Sequence, residues 1–259
     1  MNKLLSKPKA SLTKSIHFIR ENLLDILFPI RCLSCNKYSE WLCEDCLNKI
    51  PLKNKQSCPV CKKKITPNGS ICFECRQKNF IDGVLVSSFY RQNGEKTFLA
   101  KTIHNYKYDF IAELHQPLAQ ILIRAFLSSN LSLPDFIIPV PLHPRRLRWR
   151  GFNQSAKMSE FLSENLSPGF KIETANDLLL RKKYTQPQMS LKNRQQRVAN
   201  MRNVFEINKH SIHFKKIYGK NILLVDDVIT TGSTIFECAK ILKQKTNAKK
   251  VFGLVLARQ

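Results

Sequence analysis

The stretch ILLVDDVITTGST, Ile222–Thr234, decides the fold. Its four leading aliphatic residues make a run suited to a strand buried on both faces. Two carboxylates, Asp226 and Asp227, arrive at the carboxyl end of that run, and a hydroxyl-rich loop with one glycine follows at once. A solvent-facing turn gains nothing from two like charges side by side. Adjacent carboxylates make better sense as acceptors for neighbouring hydroxyls, such as the 2′ and 3′ hydroxyls of a ribose. Thr230, Thr231, Gly232, Ser233 and Thr234 then offer hydroxyls and backbone N–H groups at a helix N-terminus, a cradle for phosphate. Sugar at the acids and phosphate at the loop describe a ribose 5-phosphate site.

Outward from this stretch, GVLVSSFY, DFIIPVPL and VFGLVLA also read as strands. Helical periodicity marks Leu99–Tyr106, Ala112–Leu127, Gln154–Leu166, Gln195–Arg202 and Ile235–Lys243. Strands alternating with helices predict an α/β fold with a parallel sheet and helices on both faces. Pro139, Pro141 and Pro144 punctuate the end of the second strand, where such a fold carries its ligand loops. The two closest glycines are Gly83 and Gly94, so no GxGxxG exists, and no GK[ST] P-loop exists either. The expected site is neither Rossmann-like nor that of an ordinary ATPase.

The chain of 259 residues carries 43 Lys+Arg against 19 Asp+Glu, a formal net charge of +24. Such a field attracts polyanions: nucleic acid, phosphorylated small molecules or anionic lipid. A solvated basic face that only aids solubility is the plainer reading. No window approaches ~18 uninterrupted apolar residues, so no membrane insertion is expected. The first 30 residues start basic like a signal peptide, but His17, Arg20, Glu21 and Asp25 interrupt the apolar stretch and no small-residue cleavage site follows. Ile16, Ile19, Leu23 and Leu27 fall instead at the spacing of a short amphipathic helix. The expected location is cytoplasmic.

Eight of the nine cysteines lie in four CxxC pairs: Cys32/Cys35, Cys43/Cys46, Cys58/Cys61 and Cys72/Cys75. Two CxxC turns complete a tetrahedron around Zn²⁺, so eight thiolates suit two structural Cys₄ sites. Sequential pairing is simplest, and interleaved pairing stays open. Disulfides would need an oxidising compartment, redox CxxC motifs normally occur singly, and iron–sulfur ligands run closer together. Each Zn(Cys)₄ unit carries about −2, which brings the net charge to about +20. Cys238, beside Ile235 and Leu242, reads as core. Three segments follow: an N-terminal helix at 1–30, a double zinc ribbon at 31–80 and an α/β domain at 81–259.

ILLVDDVITTGST resembles the PRPP-binding signature of type I phosphoribosyltransferases. Together with PVPLHPRRLRWRGFNQSA at 139–156, IHNYKY at 103–108 and the four CxxC pairs, the chain closely resembles the ComF family of competence proteins. The resemblance implies that Asp226 and Asp227 hold the ribose hydroxyls of PRPP and that Thr230–Thr234 wrap its 5-phosphate. It also places pyrophosphate, with Mg²⁺, at Val140, Pro141, Leu142 and His143, within reach of Arg145, Arg146 and Arg148. Arg181–Arg197, with Tyr184 and Gln186, matches the hood that closes over PRPP in the wider fold. His104, Lys107 and Tyr108 match the family pattern, and a plain helix-end role fits His104 equally well. No residue that would select an acceptor is legible, so catalysis stays open.

The densest basic cluster interleaves Arg145, Arg146, Arg148 and Arg150 with Trp149 and Phe152. Arginines neutralise phosphates while aromatics stack on unpaired bases, the chemistry of single-stranded DNA binding. The rival reading has these arginines serve only the pyrophosphate, with Trp149 and Phe152 packed inside. Lys62, Lys63 and Lys64 form a further candidate phosphate patch or a solvated turn. Three functions result. The first is a DNA-uptake protein for natural transformation that binds single-stranded DNA and PRPP. The second is an active phosphoribosyltransferase of unidentified acceptor. The third is a non-catalytic adaptor whose zinc module docks a competence helicase.

Overall fold

A computed structural model of the chain describes residues 29–184 and 203–259. The expected amphipathic helix before residue 29, the helix at Gln195–Arg202 and the hood beyond Tyr184, Gln186 included, lie outside the described residues. The chain divides into two compact units, Met1–Cys46 and Leu47–Gln259.

In the first unit, the turn at Cys32–Cys35 is closed by Cys32 N–H donating to Lys37 O at 2.8 Å and Asn36 N–H donating to Cys32 O at 2.9 Å. Asn36 takes the left-handed conformation with φ 62°, which Asn tolerates better than most residues. Helix α1 (Glu44–Asn48) carries Cys46.

The second unit is built on five parallel strands in the order β1-β9-β8-β4-β5. They are β1 (Gly83–Phe89), β4 (Phe136–Pro139), β5 (Glu173–Thr174), β8 (Asn221–Ile229) and β9 (Lys250–Arg258). Two antiparallel pairs, β2 (Arg91–Gln92) with β3 (Glu95–Lys96) and β6 (Leu179–Arg181) with β7 (Phe205–Ile207), stand outside this sheet. Ile222 through Val225 are all buried, as a strand covered on both faces requires. The pleat sends Ile222 and Leu224 into a cluster with Ile235, Cys238, Ala239 and Leu242 of the helix that follows β8.

The helices are α2 (Phe73–Arg76), α3 (Phe98–Tyr108), α4 (His115–Leu127), α5 (Pro144–Arg150), α6 (Gln154–Asn165) and α7 (Ser233–Thr246). Thr97 caps α3 by accepting from Ala100 N–H at 3.2 Å, and Asn153 caps α6 by accepting from Ser155 N–H at 3.1 Å. The expected parallel α/β architecture, flanked by helices, is what the chain adopts.

Helix α5 has no counterpart among the helices read from periodicity. Pro144 at its first position and Gly151 just beyond it, with φ 78°, bracket the seven residues. Gly151 N–H closes the last turn on Leu147 O at 2.8 Å. Four arginines among its seven residues leave the element without an apolar helical period.

The outer edge of β1 is covered by the segment that carries the second pair of CxxC turns. Gln56, only 6% exposed, imitates a neighbouring strand with its side-chain amide. Its Nε2 donates to Val86 O at 2.9 Å, and its Oε1 accepts from Val86 N–H at 3.2 Å. Lys53 N–H donates to Ser87 O and Ile71 N–H to Asp82 O, both at 2.8 Å. An edge that would otherwise invite pairing with another chain is thereby blocked. Gly69 permits this approach: its φ is 70°, and a Cβ there would stand 2.0 Å from Val84 O.

Candidate functional site

Strand β4 pairs with β8 only as far as Pro139 opposite Val225, whereas β9 accompanies β8 to Ile229. Asp226 and Asp227 therefore emerge where one neighbouring strand has ended. The chain leaves β4 toward β5 on one side and leaves β8 toward β9 on the other. That divergence at the carboxyl ends opens the crevice where open α/β sheets take their ligands. Here it is a cleft of about 170 Å³ lined by Lys107, Arg146, Arg150, Arg181, Asp226 and Asp227, among others.

The two acids face different surroundings, as adjacent residues on a pleated strand must. Asp227 is 8% exposed, and its Oδ1 accepts from Lys107 Nζ at 2.9 Å. Asp226 Oδ1 accepts from Ser155 Oγ at 3.1 Å and from Asp227 N–H at 2.9 Å. Burial first, and then the Asp227 carboxylate, push Asp226 up to about 7, against the pull of Lys107. The adjoining loop turns on Gly232, φ 88°, where a Cβ would strike the Phe236 ring at 2.4 Å. Gly232 brings no side chain to cap α7, and Ser233 N–H donates instead to Thr231 Oγ1 at 3.4 Å. Thr231 Oγ1 and Ser233 Oγ lie 2.7 Å apart and share a hydrogen bond.

The helical period sorts the basic cluster. Arg146 and Arg150, one turn apart, line the cleft, whereas Arg145 and Arg148 are exposed. Trp149 is 58% exposed, with its ring 5.1 Å from Phe110 and 6.3 Å from Tyr108. Phe152 instead packs on the fully buried Tyr106 at 5.3 Å. Arg150 donates to Gln154 Oε1 at 2.9 Å, while its own Nε and Gln154 Nε2 are buried donors without a partner. Burial, and then the Arg146 charge, lower Arg181 to about 10. Cations crowded in this way favour an anion between them.

The segment expected to bind pyrophosphate is half structural. Val140 and Pro141 are buried, and His143 caps α5 by accepting from Arg145 N–H at 3.1 Å. Tyr184, the last described residue of the expected hood, lies against α5, with Arg145 at 5.0 Å, Arg146 at 5.7 Å and the His143 ring at 5.3 Å from its ring. His104 stacks on Tyr108 at 4.7 Å one helical turn away, and Lys107 and Tyr108 both border the cleft. Lys62 donates from Nζ to Thr230 O at 3.3 Å, Lys64 pairs with Glu74, and Lys63 is exposed. Ser155 and Gln154 carry no site role in the sequence reading, and Arg181 enters it only as the first residue of the expected hood. Gln154 and Ser155 do stand in the quoted RGFNQSA run, which was the available signal.

The cysteines pair sequentially, Cys32/Cys35/Cys43/Cys46 and Cys58/Cys61/Cys72/Cys75, with the ligand atoms of each set within 4.8 Å of one another. Cys35 and Cys43 Sγ lie 3.5 Å apart, and Cys61 and Cys72 Sγ lie 3.9 Å apart. A tetrahedron of Zn–S bonds of about 2.3 Å needs sulfurs about 3.8 Å apart, so both sets fit structural zinc. Backbone N–H groups of Lys64 and Lys63 lower the Cys61 thiol to about 6, favouring the thiolate that a metal binds. Arg258, half-buried and acted on by the charge of Cys58, keeps an unpartnered Nη1 that suits the negative charge of a metal–thiolate set.

These features define a class: a parallel α/β protein with a strand-end site at its switch point, preceded by two Cys₄ ribbons. The double zinc ribbon domain family matches residues 23–76. Competence protein F of Haemophilus influenzae is 30% identical over 244 residues, 89% of this chain and 98% of that protein. DNA utilization protein YhgH of Escherichia coli K12 is 30% identical over 207 residues, 78% and 83% of the two chains. Competence protein ComFC of Bacillus subtilis is 27% identical over 241 residues, 88% of each. The chain belongs to the competence protein F family.

Proposed function

We propose that this protein serves DNA uptake in natural transformation, in the cytoplasm, binding single-stranded DNA on α5 and a phosphorylated ribose, PRPP with Mg²⁺, in the cleft. The observation that carries the ribose reading is the juxtaposition of the Asp226–Asp227 pair, Thr230 and Thr234 at the two ends of the loop, and Arg146, Arg150 and Arg181 around one cleft. The acids would take the sugar hydroxyls, the Thr230–Thr234 loop the 5-phosphate, and the Val140–His143 segment with Arg146 the pyrophosphate and its Mg²⁺. The exposed Trp149, flanked by Arg145 and Arg148, supports stacking on unpaired bases. The names of the relatives favour a place in competence and DNA use. Among the described residues no helix is long and apolar enough to cross a membrane.

The test is a calorimetric titration of zinc-loaded protein with PRPP and Mg²⁺, beside Asp226→Asn/Asp227→Asn. Binding that vanishes in the double variant supports the reading, and no binding in the wild type overturns it. Cations on the leaving-group side also favour a second reading, phosphoribosyl transfer. That reading requires pyrophosphate release, lost in the same variant. For DNA, affinity for a single-stranded oligonucleotide should fall steeply with salt and drop on Trp149→Ala. Zinc-module docking of a helicase instead requires that cysteine substitutions abolish partner binding while PRPP affinity persists.

A further inference from the structure

We propose that Tyr108, Phe110 and Trp149 form one base-stacking platform at the rim of the cleft, and that single-stranded DNA seated there excludes PRPP by bringing a backbone phosphate to Arg150. This deepens the DNA reading above, which rests on Trp149 and α5, and joins it to the ribose site.

Three observations carry the assignment. The first is exposure. Tyr108, Phe110 and Trp149 are 41%, 42% and 58% exposed, whereas Tyr106 on the same helix as Tyr108 is fully buried. Three neighbouring rings left in water mark a binding surface rather than core. The second is geometry. Trp149 meets Phe110 at 5.1 Å and 79°, and Tyr108 at 6.3 Å and 60°. Edge-on contacts of this kind leave ring faces open to another planar group. The third is strain. Asp109 closes α3 by donating its N–H to Asn105 O at 2.9 Å, and Phe110 directly after it is left-handed, with φ 56°. Glycine is the usual occupant of that position, and a bulky residue there is an outlier. Such strain clusters where a ligand is held. What Phe110 gains from it is the edge contact with Trp149 at the surface, not burial.

Charge identifies the occupant. Arg145 and Arg148 are exposed on the helix that carries Trp149. The Arg150 guanidinium stands 5.7 Å from the Tyr108 ring and 5.8 Å from the Trp149 ring, and both Arg150 and Tyr108 line the cleft. Open ring faces among arginines suit a ligand with planar groups and a repeating anion, and unpaired DNA has both. A base on the platform carries its phosphate to an arginine of the cleft, so DNA and PRPP compete.

Full-length, zinc-loaded protein is titrated with a fluorescein-labelled oligothymidylate at fixed ionic strength, as wild type, Phe110→Gly and Phe110→Tyr. Loss of one stacking ring predicts about 5- to 100-fold weaker binding in Phe110→Gly, and Phe110→Tyr should keep wild-type affinity. Because glycine relieves the left-handed backbone, the thermal midpoint of Phe110→Gly should be no lower than that of wild type. A second readout is the emission of Trp149, isolated by replacing the other tryptophan, Trp41→Phe. The oligonucleotide should quench it, and PRPP with Mg²⁺ at matched ionic strength should restore it. Unchanged DNA affinity in Phe110→Gly overturns the platform and leaves Trp149 and α5 as the DNA reading. Weaker binding with a lowered midpoint makes Phe110 a packing residue and overturns it too. Quenching that PRPP does not reverse overturns the shared site, and calorimetry with PRPP then decides whether the ribose reading falls with it. A wild type that ignores the oligonucleotide overturns the platform and the DNA reading together.

Discussion

The two Cys₄ sets have the same ligands and the same CxxC turns, yet they sit in different structural settings. The first closes within Met1–Cys46, a unit of its own, with Cys35 exposed. The second is a wall of the α/β core: Cys58 is fully buried in a cluster that runs through β1, β8 and α7. The second ribbon seals a strand edge through Gln56 and carries Lys62, which donates to Thr230 O. Duplicated motifs therefore diverge in role through what they pack against.

The largest test of that contrast is ligand removal. Cys58→Ser or Cys72→Ser should lower the main unfolding midpoint by more than about 10 °C or abolish soluble expression, since a buried metal set is part of the folding energy. Cys35→Ser should leave the far-UV spectrum and that main transition in place while one equivalent of zinc is lost. Equal damage from both substitutions would break the comparison.

Next in size is the edge seal. Gln56→Leu leaves the buried N–H and C=O of Val86 without partners, and should destabilise by roughly 2–4 kcal/mol in urea unfolding. Gly69→Ala should cost a similar amount, because its Cβ would meet Val84 O with φ already at 70°. Should Gln56→Leu be neutral, the second ribbon would be a neighbour of the sheet rather than part of it.

An effect of similar size over three pH units, confined to the cleft of the larger unit, is the pH dependence contributed by Asp226. Its carboxyl is raised from an ordinary value of 3.8 to about 7 by burial and by Asp227. Between those values the folded chain holds a proton that the unfolded chain has released. Asp226 thus favours folding at low pH, and that contribution disappears as pH rises through about 7. Asp226→Asn removes this slope, which one proton bounds at about 1.4 kcal/mol per pH unit. The variant should gain stability over wild type steadily from pH 4 to pH 7, read as the difference in thermal midpoint. A difference that does not change with pH would mean Asp226 stays ionised in the folded chain.

Much of this was legible in the sequence, for physical reasons. β8 and β9 are buried on both faces, so they read as continuous apolar runs, and α4 shows its core face at helical spacing. The acid pair and its loop are contiguous, so the proposed sugar and phosphate contacts could be read from thirteen residues. The eight cysteines announce their own chemistry. What stayed hidden depends on contacts between distant residues. The amide of Gln56 meets Val86 thirty positions on, and Lys62 meets Thr230 only once the sheet has formed. Helix α5 was masked by its charge, although Pro144 and Gly151 mark its ends. Its helical period then separates Arg146 and Arg150 from Arg145 and Arg148, which sequence alone left as one cluster.

The smallest expected effect falls on the first ribbon, and it sharpens the contrast by being small. Tyr38 is 57% exposed, bridges Arg31 across an isolated β-contact, and takes the Arg31 guanidinium over its ring at 4.1 Å. Exposed pairs of this kind exchange protein contacts for water at little net gain, and surface substitutions usually fall within about 0.5 kcal/mol. Tyr38→Ala should therefore leave zinc content, the main unfolding transition and PRPP affinity unchanged. If it weakens binding of single-stranded DNA or of a protein from the uptake machinery, the first ribbon is a docking surface, while the second stays a wall of the core. If it lowers PRPP affinity, the first unit reaches the cleft as well, and the division between a surface ribbon and a core ribbon fails.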